Sequence, residues 1–247
     1  MKFTKMHGCG NDFLVVDGPA ELDVPRVREI CDRRRGVGAD GILVIGAPEG
    51  RRWPVILHNA DGSLGESCGN GARCVARYLL DRHGGDVLNL RFAGGDVSAR
   101  REGDCIAITL GAPTRPEPVA VDGVRRAYLM NVGNRHVVLL VEDPATIDLP
   151  AVAATVRGVH GDVNVEVARV LNAGLIAMRV DERGVGETQA CGTGACAAVA
   201  AAACEHRMED TVRVQVSGGE LLVRRRAGRD TFELAGPAEY AFEGRVD

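Results

Sequence analysis

Two cysteines, Cys68 and Cys191, each stand directly before a Gly-x-Gly step. The segments are Cys68-Gly69-Asn70-Gly71-Ala72-Arg73-Cys74 and Cys191-Gly192-Thr193-Gly194-Ala195-Cys196. Each step runs into residues of helical composition, so each thiol is expected at a helix N-terminus. There, unpaired amides and the positive end of the helix dipole stabilise a thiolate and lower its pKa. The same amides can hold a carboxylate. One such thiol would suit a nucleophile or an anion site. Two of them facing opposite sides of one carbon can invert it, one thiolate taking a proton while the other thiol returns one.

Other chemistries fit these residues less well. Gly192-Thr-Gly194-Ala-Cys-Ala197 matches a dinucleotide-type GxGxxA pattern. It follows the polar loop 184–190, however, where such a motif needs a buried strand. A metal site would want paired Cys-x-x-Cys steps or grouped histidines. The cysteine spacings are wider and the six histidines are scattered, so no metal is expected. An acyl-transferring cysteine with His136 or His58 as its base remains open, but it leaves the second cysteine without a task.

A duplication links the two thiols. The cysteine motifs lie 123 positions apart (191 − 68). Gly10-Asn11 with the apolar run after it, and Gly133-Asn134 with its own run, are separated by the same offset (133 − 10). Two motifs repeating at one offset imply two homologous halves. The boundary is expected near the proline-rich stretch 113–118.

Each half should present short strands separated by Gly, Asp and Asn clusters. In the first half these are 13–16, 41–45, 55–57, 87–92 and 106–110. In the second they are 137–141, 163–170, 175–180, 212–216 and 220–223. Helices are expected over 71–82 and 194–206, and more weakly over 26–34 and 149–157. The 71–82 segment groups Cys74, Val75, Tyr78 and Leu79 on one face, with Arg73, Arg77 and Arg82 elsewhere. The alanine-rich 194–206 segment is apolar nearly all round and should be enclosed by strands.

The 247 residues carry a net charge of −4, with 45% hydrophobic and 26% charged residues. That composition suits a soluble globular chain and offers no basic field for nucleic acid. The arginine runs 33–35 and 224–226 are short and suit solvated faces. Neither a signal-peptide pattern nor an apolar run of roughly 18 residues is present, so a cytoplasmic location and no membrane partner are expected. In a reducing compartment the eight cysteines would be thiols. Cys31, Cys105, Cys196 and Cys204 lie among apolar neighbours and are expected to be buried.

At these motifs the sequence resembles the diaminopimelate epimerases. The likeness covers nearly the whole chain: Lys5-Met-His-Gly-Cys-Gly-Asn-Asp-Phe13, Gly36-Val-Gly-Ala-Asp-Gly41, Asn59-Ala-Asp-Gly62 and the Cys68 motif. It continues through Gly133-Asn-Arg-His136, Asn164-Val165 and Asp181-Glu-Arg-Gly-Val-Gly-Glu-Thr-Gln-Ala-Cys191-Gly-Thr-Gly-Ala195. The resemblance implies an α/β (α+β) fold of two pseudo-symmetric domains, each a barrel-like, strand-rich sheet wrapped around a central helix, with the substrate between them. The halves would be 1–115, joined by the C-terminal strand 236–247, and 116–235. It implies a cofactor-independent epimerase acting on LL- and meso-diaminopimelate in lysine and peptidoglycan biosynthesis, and a homodimer.

Carried over by position, Cys68 and Cys191 are the acid–base pair, with His136 and Glu182 supporting their protonation states. Gly69, Asn70, Gly192 and Thr193 would hold the reacting carboxylate. Asn11, Asn59, Asn134, Asn164, Glu182 and Arg183 would bind the substrate, chiefly its distal end. Arg183 can grip a carboxylate, and Glu182 can accept from an ammonium. The chain departs from the family pattern at Arg135, expected to be an exposed arginine where proline is usual, at Cys9, and in the short segment 143–163. A racemase of the same fold for another amino acid is the alternative. Its proline-directed members carry histidine where this chain has Asn70. A binding protein that has lost turnover is a further one.

Overall fold

The computed structural model describes residues 1–50, 52–111, 113–225 and 231–247. The chain divides into two compact units, Met1–Ile108 with Gly236–Asp247, and Thr109–Ala235. Arg226, the end of the second arginine run, lies outside the described residues.

In the first unit, Lys2–Gly8 and Asn11–Asp17 form an antiparallel hairpin. Its two-residue turn, Cys9-Gly10, has φ of 53° and 82°, the left-handed pair that matches strand twist in a tight hairpin. Asn11–Asp17 then pairs in parallel with Gly41–Ile45, which pairs antiparallel with Arg52–Asn59. Arg52–Asn59 runs parallel to Val87–Phe92, and Gly95–Glu102 and Cys105–Gly111 follow antiparallel. Helix α1, Val24–Cys31, makes the first parallel crossover and α2, Gly69–His83, the second. On the outer side, Glu239–Arg245 pairs with Lys2–Gly8.

The second unit repeats this order. Val124–Asn131 and Arg135–Leu140 pair antiparallel, and Arg135–Leu140 and Asn164–Asn172 pair in parallel. Asn164–Asn172 and Leu175–Glu182 are antiparallel, and Leu175–Glu182 is parallel to Thr211–Val216. Gly219–Arg225 and Thr231–Pro237 complete the run antiparallel. Helices α3, Leu149–His160, and α4, Gly192–Glu205, make the two parallel crossovers. The sequence of antiparallel and parallel pairings is therefore the same in both units, and the expected α/β fold of two pseudo-symmetric halves is observed.

Burial of the crossover helices organises each core. Helix α4 is buried along nearly its whole length and packs on five strands of its own unit, because alanine lets backbone approach closely from every side. Helix α2 is likewise enclosed by strands of the first unit. Smaller clusters fill the space beneath the other two helices. Leu14, Val16, Val27, Ile30, Ile42 and Val44 pack together with α1, and Val137, Leu139, Ala153, Val156, Val165 and Val167 with α3.

The observed helices differ from expectation at their ends. Helix α1 begins earlier, because Asp23 accepts from Arg26 N and Pro25 suits a first turn. It stops before Asp32, whose carboxylate instead accepts the Arg34 and Arg35 amides at 2.8 Å each. Helix α3 runs one turn further, to Gly161, whose φ of 73° ends it. His206 caps α4 rather than belonging to it. Strands Lys2–Gly8, Gly95–Glu102, Val124–Asn131 and Thr231–Pro237 were not expected. In Gly95–Glu102 the outward positions are charged or small, which hides the alternation.

Two expectations about burial are corrected. Cys204 is exposed and Cys105 half-buried, since the last turn of α4 leaves the core there and Cys105 begins its strand beside a surface turn. Arg73 is not on an outer face; it is fully buried. Its guanidinium reaches the carbonyls of Pro237 at 3.3 Å and Gly69 at 3.5 Å. Gly8 leaves it room, for a Cβ there would lie 2.9 Å from Nη2.

Candidate active site

Each cysteine is the N-cap of the enclosed helix in its own unit. Cys68 has φ −146° and ψ 119°, and its sulphur accepts from Gly71 N at 3.4 Å. Cys191 has φ −125° and ψ 116°, and accepts from Gly194 N at 3.4 Å. Both thiols thus sit where the helix dipole and first-turn amides favour negative charge. Gly69 and Asn70 lead α2, and Gly192 and Thr193 lead α4. The amides of such first turns have no acceptor within the helix and point outward from its end.

In the first unit, Cys68, Asn70 and Asn11 meet. The Cys68 thiol donates to Asn11 Oδ1 at 3.7 Å, and Asn70 Nδ2 donates to the same oxygen at 3.1 Å. Asn11 is aimed by Asp40, whose carboxylate accepts from Asn11 Nδ2 at 2.7 Å and from Asp12 N at 3.0 Å. Asn59 ends strand Arg52–Asn59, and its amide donates to Ser63 Oγ at 3.0 Å within a tight turn. His58 lies on that strand opposite Ile42 and Leu64, and burial lowers its pKa.

In the second unit, Cys191 is surrounded by polar groups from three elements, α4 and the strands Asn164–Asn172 and Leu175–Glu182. Its sulphur lies 3.4 Å from Thr193 Oγ1, and Glu182 hydrogen-bonds it. Glu182 also accepts from Thr188 Oγ1 at 2.6 Å. His136 is fully buried, with Nδ1 2.7 Å from Glu166 Oε1 and Nε2 2.8 Å from Asn134 Oδ1. Both ring nitrogens are therefore engaged, which removes His136 as the direct base of an acyl-transferring cysteine. Asn164 Oδ1 accepts from Arg183 N at 2.8 Å, fixing the turn that carries the exposed Arg183. Arg135 is exposed, as expected.

The electrostatics of Cys191 oppose its helix-end position. Burial, then the Glu182 and Glu166 carboxylates, raise its pKa well above the ordinary thiol value, against the Thr193 and Gly194 hydrogen bonds. Burial also raises Glu182, outweighing its hydrogen bonds to Thr188 and Cys191. Cys74 and Cys196, fully buried in the second turn of each helix, are pushed up to about 12 by burial.

Asp40, Glu166 and Arg73 were missed in the sequence. Glu166 had a signal: it lies two residues from Asn164 in a β run, so both face the same side of the strand. Asp40 and Arg73 had none that local pattern could supply. Among the described residues, no His, Cys, Asp and Glu side chains are grouped so as to hold a metal ion. No described helix is long and apolar enough to cross a membrane.

Comparison with known proteins matches this arrangement to one family. The family model described as Diaminopimelate epimerase matches residues 3–115 and again 128–240, one match in each half of the duplication. A diaminopimelate epimerase of Moorella thermoacetica is 36% identical over 277 residues, covering 99% of this chain and 98% of that protein. One from Alkalilimnicola ehrlichii is 37% identical, covering 100% and 98%. Among solved structures, a phenazine biosynthesis protein of the PhzF family from Enterococcus faecalis has a TM-score of 0.77 over 100% of both chains at 14% identity, a likeness of fold. With the family matched in both halves and relatives aligned end to end, the chain belongs to the diaminopimelate epimerase family.

Proposed function

We propose that the protein interconverts LL- and meso-2,6-diaminopimelate by proton transfer between Cys68 and Cys191, with no cofactor. The observation that carries this reading is the equivalence of the two thiols: each caps the buried helix of its unit with the same 3.4 Å amide contact. In the reaction, one sulphur as thiolate removes the α-proton, and the other as thiol delivers a proton to the opposite face. The first-turn amides of Gly69, Asn70, Gly192 and Thr193 hold the α-carboxylate and stabilise the charge that develops on it. Asn11 orients the Cys68 end, and Glu182 with His136 governs the Cys191 end. Asn59, Asn134, Asn164, Glu182 and Arg183 bind the distal ammonium and carboxylate. A cytoplasmic homodimer is part of the same reading, and sedimentation of the purified chain tests the dimer.

Incubation with LL-diaminopimelate in deuterium oxide tests the assignment. Deuterium should enter one α-position as the meso form appears. Exchange into proline or another amino acid, with none into diaminopimelate, would overturn the substrate. The absence of exchange into any amino acid would point to a binding protein.

A further inference from the structure

The two units carry one thiol geometry on unlike supports. At the 123-residue offset, Phe13 corresponds to His136 and Leu43 to Glu166. Strand register agrees: Phe13 faces Gly41 and Val15 faces Leu43 in one unit, as His136 faces Asn164 and Val138 faces Glu166 in the other. All four side chains are buried. At these places the first unit thus carries two buried apolar side chains, with Leu43 against the first turn of α2, and the second unit a hydrogen-bonded histidine–glutamate pair of 2.7 Å. A Cβ built on Gly71 would meet Leu43 carbons first, at 3.1 Å. One built on Gly194 would lie 2.5 Å from Glu166 Oε1 and 3.2 Å from Cys191 Cβ. Glu166 and Cys191 therefore flank the same space.

Glu166 is an expensive residue there. It is 0% exposed, and its Oε2 has no hydrogen-bond partner, a configuration that costs stability. Leucine fills the equivalent volume in the other half, so packing does not require the carboxylate. Its charge is the property that remains. We propose that Glu166 is a positioning residue which, tied to His136, keeps Cys191 as the protonated member of the cysteine pair. The proposal builds on the two-cysteine reading above and adds a direction to it. The groups facing Cys191 are Glu182 from strand Leu175–Glu182, Glu166 from Asn164–Asn172, and Thr193 with the Gly194 amide from α4; His136 from Arg135–Leu140 stands behind them, acting on Glu182 and bonded to Glu166. Two carboxylates thus face one imidazole, and removing one lowers the cost of a thiolate. In the first unit the buried Arg73 guanidinium, 3.5 Å from the Gly69 carbonyl at the start of α2, is opposite in sign.

The test needs no substrate. Iodoacetamide alkylation of Cys68 and Cys191 is followed separately by peptide mass spectrometry over a pH series. In the wild-type protein Cys191 should titrate above Cys68; the reverse order would overturn the proposal. In Glu166→Gln, which keeps the shape and a hydrogen bond to His136, Cys191 should alkylate about tenfold faster at a given pH below its midpoint, one pKa unit being tenfold in thiolate. Glu166→Leu should do the same and Glu166→Asp should stay near wild type, with the Cys68 profile fixed throughout. An unchanged Cys191 profile in a folded Gln variant would also overturn it, since a merely structural residue would alter stability alone. Because substrate is absent, a failure of the diaminopimelate assignment would leave these profiles as they are.

Discussion

Asn11 Oδ1 lies 3.7 Å from the Cys68 sulphur, and the Asn11 amide is held from behind by Asp40 at 2.7 Å. Asp40 thus reaches the thiol through one intermediary. Asp40→Ala should release Asn11 and lower epimerisation about tenfold or more, because small misplacements at a reacting group are costly. Stability should fall by only about 1–2 kcal/mol, the scale of lost hydrogen bonds to a charged group. Turnover and urea unfolding measured on one preparation separate the two effects.

His136 and Glu166 should be strongly coupled in stability. His136→Phe, which copies Phe13 of the other half, leaves the buried Glu166 carboxyl without its hydrogen-bond partner and should cost about 2–3 kcal/mol. Adding Glu166→Leu completes the apolar pair that the first unit already carries. The double variant should therefore be more stable than His136→Phe alone. A double-mutant cycle in urea reads this directly, and additive losses would contradict the pairing.

Gly71 and Gly194 occupy equivalent helix positions and should respond differently to alanine. At Gly71 the new methyl meets the end of the Leu43 side chain at 3.1 Å, which can yield by a few tenths of an ångström. Gly71→Ala should stay within about 1 kcal/mol of wild type, since alanine also favours helix. At Gly194 the methyl meets Glu166 Oε1 at 2.5 Å, and Glu166 is pinned by His136. Gly194→Ala should destabilise by about 2 kcal/mol and reduce turnover more than Gly71→Ala does. Thermal melts and kinetics of the pair check the contrast.

The hairpin that presents Asn11 is anchored by Asp12, which meets Lys5 and Arg33 at 2.6 Å each. Burial works against its charge, but the hydrogen bonds from Arg33 and Lys5 outweigh burial and bring its pKa from 3.8 to about 2. A carboxyl depressed in the folded state adds stability above its unfolded pKa, and that stability is lost as pH falls through the folded value. Asp12→Asn should therefore be less stable than wild type by about 1–2 kcal/mol at neutral pH, after allowance for solvent screening. The difference should shrink as pH falls through 3.8 and be lost only below pH 2. Urea unfolding at neutral and acid pH measures it.

Much of this was legible before the fold was known. Cys68 and Cys191 stand at glycine-marked helix starts, a local signal, and the 123-residue offset ties the halves together with no tertiary information. The enclosed α4 was visible as an alanine run without a polar face. What stayed hidden depends on contacts from elsewhere in the chain. Arg73 reads as a surface residue on a helical wheel, and only the clearance at Gly8 makes its burial possible. Asp40 reaches Asn11 across a strand pairing. Glu166 lay open to comparison at the same offset, where Leu43 is its counterpart, but a single glutamate in a β run reads as an outward residue. Strand Gly95–Glu102 was masked by Asp96, Ser98 and Arg100 on its outward face and by Arg101, which ends the inward face on Asp81 of α2.

The central claim is that two cysteines act on one α-carbon, and its most direct measurement is product formation from LL-diaminopimelate in deuterium oxide by the wild-type protein, Cys68→Ala and Cys191→Ala. The account predicts meso product carrying one α-deuterium from the wild type and none from either variant. Full epimerisation by either single variant would contradict it.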